Sequence, residues 1–158
     1  MDIVEMLERT PIFSELTKRD LSALAQTARQ RRYAAGEVII KEGRDAIGCF
    51  IVASGEVEVV KGLDSPDQEV LATLGSGDFF GEMAIIDDGP RSATVRAIKD
   101  TECIAITRWD FMAEVRTHPD IAIQMLPVLV KRIRAAEGES WQERHGLRER
   151  KELAMYPN

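Results

Sequence analysis

The sequence predicts an α+β fold, mainly β, in which an antiparallel barrel or sandwich of about eight strands lies between helical segments. Two observations predict this class. Between Arg31 and Thr107, short β-branched runs alternate with glycines, whereas apolar residues recur at helical spacing before and after that stretch. A chain of 158 residues, 44% of them apolar, can bury the core of one domain without disulfides or a structural metal.

Two short helices are predicted before the strands. Ile3, Met6 and Leu7 have i, i+3, i+4 spacing, and a second apolar set repeats this spacing after Thr17. Thr17 is suited to be the N-cap of the second helix, because Asp20 occupies the capping-box position three residues later. The connection between the two helices contains Pro11, Phe13 and Ser14, which indicates a tight turn and not a linker between domains.

Short β-branched runs predict the strands directly, and glycines lie between them. The runs are residues 37–40, 49–52, 56–60, 69–73, 94–95 and 102–106. The segment Glu56-Val57-Glu58-Val59 alternates strictly, so the glutamates are expected on one face and the valines on the other. This pattern indicates a half-buried strand with one wet face.

Helical spacing returns after Thr107, which forms a capping-box pattern with Asp110. A longer helix is expected from Pro119 to near Gly138, with a kink at Pro127. Its apolar stripe fits two interpretations equally, namely packing on the barrel or the seam of a homodimer through helix 119–137. Residues 138–158 are expected to be a charged tail, so the predicted units are a domain at 1–137 and a tail at 138–158.

Charge and composition narrow the function classes. Aspartate and glutamate number 27 against 21 lysines and arginines, and the net charge of −6 argues against a general nucleic-acid or anionic membrane surface. No signal sequence or spanning helix is predicted, so we expect a cytoplasmic protein without direct DNA or membrane contact. Cys49 and Cys103 lack nearby partners, and His118 and His145 are isolated, so no metal site, catalytic residue, cofactor or enzymatic activity is expected.

The segment from Gly75 to Val95 interrupts the strand pattern with a short helix-like piece. Within it, a glycine at position 81 allows the backbone to approach a ligand closely, and the N–H groups of Met83 and Ala84 open the helix at an end suited to an oxyanion. Arg91 supplies a planar donor fork for a phosphate, and Glu82 can accept a hydrogen bond from a sugar hydroxyl. Together these groups describe a pocket for a phosphorylated sugar.

The same segment resembles the phosphate-binding cassette of cyclic nucleotide-binding domains. The resemblance lies in the run Phe-Gly-Glu-Met-Ala, the nine-residue step from Glu82 to Arg91, and the run Pro-Arg-Ser-Ala-Thr-Val, and it extends over residues 10–137. Such domains occur in catabolite activator proteins, cyclic-nucleotide-dependent kinases and gated channels. The resemblance implies a jelly-roll-like β-roll followed by C-terminal lid helices.

Position by position, the resemblance assigns roles to the cassette residues. Glu82 matches the acceptor of the ribose 2′-hydroxyl, and Arg91 matches the ligand of the cyclic phosphate. Gly81, Met83 and Ala84 match positions that contribute backbone contacts.

Three residues match less central positions of such sites. Ser92 matches a second phosphate or base contact, and Leu71 matches an apolar position that packs on the purine. Arg132, on the long final helix, matches a position from which relatives reach the nucleotide. The expected ligand is cAMP in preference to cGMP, although serine at position 92 is compatible with either base.

The expected function is that of a stand-alone sensor, because no helix-turn-helix, channel or kinase segment follows the long helix in this sequence. Ligand binding would rearrange the C-terminal helices and act on a protein effector, on a second copy or on the tail. The alternative is a scaffold that keeps the fold without physiological nucleotide binding and holds a protein partner by its apolar helix or tail. A cupin-like enzyme is a more distant alternative, since it needs a cluster of metal ligands.

Overall fold

The computed structural model describes residues 2–44, 47–87 and 89–145, and the predicted tail beyond residue 145 lies outside the described residues. The helices are α1 (Ile3–Arg9), α2 (Lys18–Thr27), α3 (Arg108–Thr117) and α4 (Asp120–His145). The strands are β1 (Arg29–Tyr33), β2 (Val38–Ile40), β3 (Gly48–Ser54), β4 (Glu56–Lys61), β5 (Glu69–Gly75), β6 (Phe79–Phe80), β7 (Thr94–Ala97) and β8 (Thr101–Thr107). The predicted mainly-β class with helices at both ends is confirmed.

The strands form two four-stranded antiparallel sheets, with the orders β1-β8-β3-β6 and β2-β7-β4-β5. Their facing sides enclose an apolar cluster that includes Val52, Val57 and the stacked rings of Phe50 and Phe80, whose centroids are 5.1 Å apart. The helices cover the other side of the first sheet and form a second cluster there. Because β3 is covered on both faces, its first five residues are all buried.

The alternation predicted for β4 is confirmed, with a local change at its end. Val57 is fully buried, while Glu58 on the opposite face pairs with Arg96 of β7. The register with β5 then shifts, so that Val59 and Val60 face Ala72 and Val70 and leave Leu71 as an extra residue. Such a bulge re-aims side chains, which explains why Val60 is buried out of the strict alternation.

The predicted helix caps are present. Thr17 Oγ1 accepts a hydrogen bond from the Asp20 amide at 3.2 Å, and Thr107 Oγ1 accepts one from the Asp110 amide at 3.1 Å. The reciprocal half of the first capping box is replaced, because the Thr17 amide donates to Gln124 Oε1 of α4 at 3.2 Å. This bond joins the final helix to the N-terminal helices.

The expected end of the long helix near Gly138 is wrong, since α4 continues to His145 as one helix through Pro127. Gly138 does not adopt the left-handed conformation that a glycine cap uses, and one glycine inside a helix costs only about 1 kcal/mol. The predicted boundary between residues 137 and 138 therefore falls inside a helix.

The apolar residues of α4 divide between two faces. Ile121, Met125 and Val128 are buried against the body of the domain. The opposite face exposes four large apolar residues, which are Ile123, Leu126, Val130 and Ile133. One side of α4 thus has the residues needed for packing on the barrel, and the other side has those needed for a homodimer seam.

Two strands were not predicted individually. The residues of β1 are mostly arginine and lack an apolar alternation, and β6 contains only Phe79 and Phe80. Both are defined by pairing with strands distant in sequence, β8 and β3 respectively. Among the described residues, no helix has the combination of length and apolar character needed to cross a bilayer.

Candidate functional site

The candidate site lies where β6 ends and the chain makes a single 3-10 turn from Glu82 to Ile85. A cavity of about 280 Å³ opens there. Six of the eight predicted site residues line it, namely Gly81, Glu82, Met83, Ala84, Arg91 and Ser92. Asp87, Gly89 and Pro90 complete the lining.

Position 81 requires glycine because of both its backbone conformation and its surroundings. Its φ is +72°, in the left-handed region that favours glycine. A Cβ at this position would lie 2.3 Å from Arg91 Nη1 and 3.0 Å from the Gly48 carbonyl oxygen. The glycine therefore gives the arginine room to lie across the backbone, whereas the sequence predicted a different role for it, the close approach of a ligand.

Arg91 is half-buried, and backbone carbonyls position its guanidinium. Nη2 donates to the Gly48 carbonyl at 2.7 Å, and Nη1 donates to the Gly81 carbonyl at 3.4 Å. Nε is buried without an acceptor among the described residues. A guanidinium has five N–H donors, so this arrangement holds the side chain in place while leaving donors unused.

The environment of Arg91 acts on its pKa in opposite directions. Burial lowers the pKa, because desolvation penalises the charged form, whereas the neighbouring Cys49 and Glu82 raise it. An anion placed against the guanidinium would replace lost hydration with a charge-assisted hydrogen bond. The site is thus chemically suited to a phosphate.

Glu82 meets Arg132, which lies 50 residues later in the sequence. Arg132 Nη1 is 3.2 Å from Glu82 Oε1 and 3.5 Å from Met83 Sδ. The two charged side chains are 19% and 32% exposed, so water screens this ion pair less than one on the open surface. A cation of α4 thereby neutralises the carboxylate beside the predicted phosphate position.

The backbone amides of the 3-10 turn attract an anion less strongly than the N-terminus of a long helix would. The turn has four residues, so few peptide dipoles add, and the Ala84 amide already donates to the Gly81 carbonyl at 3.1 Å. That amide would have to exchange its acceptor to bind a ligand. Arg91 consequently offers an anion more unused donors than the Ala84 amide does.

Ser92 and Leu71 occupy different environments. Ser92 is exposed at the edge of the cavity, and its carbonyl accepts a hydrogen bond from Lys61 Nζ at 2.7 Å. Leu71 is the extra residue of the bulge on β5, is 52% exposed, and is not among the residues lining the cavity. The structure therefore brings Arg132 to the cassette but does not place Leu71 in the same cavity.

Gly48 is a site residue that the sequence alone did not reveal. Its carbonyl holds Arg91, and a Cβ here would lie 2.1 Å from the Ile106 carbonyl oxygen. The one signal in the sequence was a glycine that opens an apolar strand. The adjacent Cys49 is fully buried, and burial, assisted by Glu82, raises the pKa of its thiol to about 12, so it remains protonated and unreactive.

The family model described as the cyclic nucleotide-binding domain matches residues 30–118, which is more than half of the chain. The chain therefore belongs to the cyclic nucleotide-binding domain family, a family of regulatory domains. The matched region contains the cassette with Glu82 and Arg91 and all of the two sheets except Arg29, the first residue of β1.

Individual relatives support the same assignment. The cyclic AMP receptor protein of Thermus thermophilus is 32% identical over 133 residues, covering 84% of this chain and 62% of that protein. The N-terminal domain of a transcriptional regulator from Streptomyces coelicolor has a TM-score of 0.78 at 26% identity, covering 85% and 94% of the two chains. The regulatory domain of Toxoplasma gondii PKA, crystallised with cAMP, has a TM-score of 0.65 at 30% identity, covering 70% and 42%. The chain spans less than two thirds of the Thermus protein.

Proposed function

We propose that this chain is a sensor that binds a cyclic nucleotide, with cAMP preferred over cGMP, in the cavity beside Arg91. The observation that carries the proposal is the half-buried guanidinium, fixed by two carbonyls and left with unused donors. A buried donor without an acceptor, such as Nε of Arg91, costs free energy unless a hydrogen-bond acceptor such as an anion reaches it. A cyclic phosphate matches this requirement because it offers oxygen acceptors and a single negative charge.

The remaining roles follow from positions around the guanidinium. Glu82 would accept the ribose 2′-hydroxyl, since it lies on the same cavity wall and is acceptor-only when ionised. Gly81, Met83 and Ala84 would contact the phosphate through the backbone. Ser92, at the exposed edge, would donate its hydroxyl to the phosphate or the base.

Leu71 is proposed to pack on the purine. Its half-exposed side chain on the β5 bulge is an apolar surface without a partner inside the two core clusters. The preference for cAMP is supported by similarity to the Thermus cyclic AMP receptor protein and to the PKA regulatory domain crystallised with cAMP. A relative named cGMP-dependent phosphodiesterase keeps cGMP as the competing ligand.

The proposed mechanism is a population shift of α4. This helix is tied to the cassette by the ion pair of Arg132 with Glu82 and to α2 by Gln124. A ribose hydroxyl arriving at Glu82 changes the partners available to Arg132. The affinity of the protein for the nucleotide therefore depends on where α4 lies. A ligand can shift the position of a helix only through such a difference in affinity between two states.

The exposed face of α4 is proposed to form a homodimer. Ile123, Leu126, Val130 and Ile133 are spaced three, four and three residues apart, which is the spacing of a coiled-coil seam. Movement of α4 would then alter the dimer and, through it, an effector protein. Leu126→Glu should convert a dimer to a monomer in analytical ultracentrifugation, whereas a wild-type protein that is monomeric at high concentration contradicts this interface.

The binding proposal is tested by calorimetric titration of the dialysed protein with cAMP and cGMP in parallel. The wild-type chain should bind one nucleotide per chain at about micromolar affinity or tighter. Arg91→Ala should abolish binding, and Glu82→Gln should weaken it roughly tenfold, because an amide oxygen still accepts a hydroxyl but carries no charge.

Arg116→Ala is the matched control, since it removes an exposed arginine of α3 outside the cavity. It should bind like the wild type. Unchanged affinity in a folded Arg91→Ala variant would disprove the assigned site. Absence of binding by the wild type to either nucleotide, with no nucleotide carried through purification, would favour the scaffold function and the exposed face of α4.

A further inference from the structure

Strand β1 is a cationic sheet edge. Three of its five residues, Arg29, Arg31 and Arg32, are arginines, and its first four residues are exposed. In the first sheet β1 pairs with β8 and stands at the end of the strand order. An edge strand leaves the amide and carbonyl of every second residue unpaired with the sheet, which makes it a template for another strand.

The charges of β1 are only partly balanced. Arg32 Nε is 3.7 Å from Glu102 Oε2 on the neighbouring strand. Arg29 and Arg31 form no ion pair with any residue that the structure describes. Both guanidiniums are on exposed residues, so they are accessible to carboxylates of another molecule.

The register places the unpaired arginines in a row. Arg29, Arg31 and Tyr33 face Ala105, Cys103 and Thr101 of β8, so their side chains lie on one face of the sheet. Alternate residues of a strand repeat about every 6.8 Å, and an extended peptide has the same repeat. Carboxylates two residues apart on such a peptide would therefore meet Arg29 and Arg31 together. Tyr33 is half-buried and packs against the inner apolar cluster, which gives this row an apolar end.

Three alternative roles suit the arginine row less well. Charged residues on an edge strand can simply prevent aggregation. That role requires only charge, whereas β1 has arginines whose planar guanidiniums match the geometry of carboxylates. A second copy paired through β1 would bring arginines against arginines, which is destabilising. A nucleic acid offers no main-chain ladder to an edge strand, and the negative field of the whole chain opposes it.

We propose that β1 is a docking edge for an extended acidic segment of a protein partner. The segment adds antiparallel to β1, with carboxylates opposite Arg31 and Arg29 and an apolar residue opposite Tyr33. Read from its N-terminus, the segment has the order apolar, any residue, acidic, any residue, acidic. This surface is separate from the nucleotide cavity, so the proposal does not depend on the proposed ligand.

The test uses the full chain and a fluorescent capped peptide of sequence Thr-Val-Thr-Glu-Thr-Glu-Thr, titrated by anisotropy at low salt. The double variant Arg29→Gln with Arg31→Gln should bind about tenfold more weakly, because two exposed ion pairs together supply on the order of one tenfold factor. The control variant Lys18→Gln with Arg19→Gln removes the same charge from the exposed start of α2 and should bind like the wild type. Both variants must keep the wild-type melting temperature.

Two further probes separate strand addition from simple attraction. A peptide of the same charge, N-methylated at alternate residues, should lose binding, and amide resonances of β1 should shift on addition of the unmodified peptide. Equal binding of the methylated peptide would overturn the docking edge, as would absence of binding by the wild type at millimolar peptide. An oligothymidylate that binds the wild type more tightly than the peptide and loses affinity in the Arg29 and Arg31 variant would reassign the edge to nucleic acid.

Discussion

Replacing Gly81 by alanine should weaken cyclic nucleotide binding while leaving the fold in place. The added Cβ would lie 2.3 Å from Arg91 Nη1, and ordinary contact begins near 3.4 Å, so the guanidinium must move by about 1 Å. Nη1 is the far end of a flexible side chain and can move aside, while the Gly48 carbonyl oxygen, 3.0 Å from the added Cβ, has to give by only a few tenths of an ångström. The displaced guanidinium no longer lies where the two carbonyls held it.

The size of the effect follows from what the guanidinium loses. A hydrogen bond to a charged group contributes about 1.5–3 kcal/mol, and a tenfold change in affinity corresponds to about 1.4 kcal/mol. We therefore expect binding roughly 10- to 150-fold weaker by calorimetry. The left-handed backbone adds a separate cost of about 1–2 kcal/mol to the free energy of folding, because Gly81 has φ of +72°.

Gly77→Ala is the matched control for this experiment. Gly77 has φ of +89°, and a Cβ there would meet nothing within 4 Å, so the variant carries the backbone cost alone. It should lose similar stability in urea denaturation and bind nucleotide like the wild type. If Gly81→Ala binds nucleotide like the wild type, or if Gly81→Ala and Gly77→Ala lose affinity equally, the position of the Arg91 guanidinium does not determine nucleotide binding.

Two further predictions concern the residues beneath the site. Burial raises the pKa of Cys49 from 9.0 to about 12, so its stabilising contribution is complete below pH 9 and is lost as the pH rises toward 12. The unfolding free energy of the wild type should therefore fall between pH 8.5 and 10.5 by about 1–2 kcal/mol more than that of Cys49→Ala. Urea denaturation at the two pH values measures both falls. Equal falls would contradict the burial of the thiol. Gly48→Ala should prevent stable folding, because its Cβ would lie 2.1 Å from the backbone oxygen of Ile106, and a normal melting curve would contradict that contact.

The local signals of the sequence were sufficient for most elements of the fold. Caps at Thr17 and Thr107, and the alternation at Glu56-Val57-Glu58-Val59, depend on residues within a few positions of one another. The cassette motif likewise concentrates Gly81, Glu82 and Arg91 in one short segment. Such features are readable because their physical cause is local.

Other features depend on contacts between distant segments. Strand β1 is a strand because it pairs with β8, some seventy residues later, and its arginines give no apolar pattern. The helix α4 was expected to end at Gly138, but the small cost of one glycine does not terminate it.

The sequence by itself determined the fold class and the chemical groups of the site, because both are written in short periodic patterns and in one compact motif. Only the tertiary structure decided how those groups are held. The carbonyl of Gly48 fixes Arg91 from 43 residues away, and Arg132 reaches Glu82 across 50 residues. Such contacts depend on how sheets and helices pack, and packing brings together positions that no local sequence pattern connects.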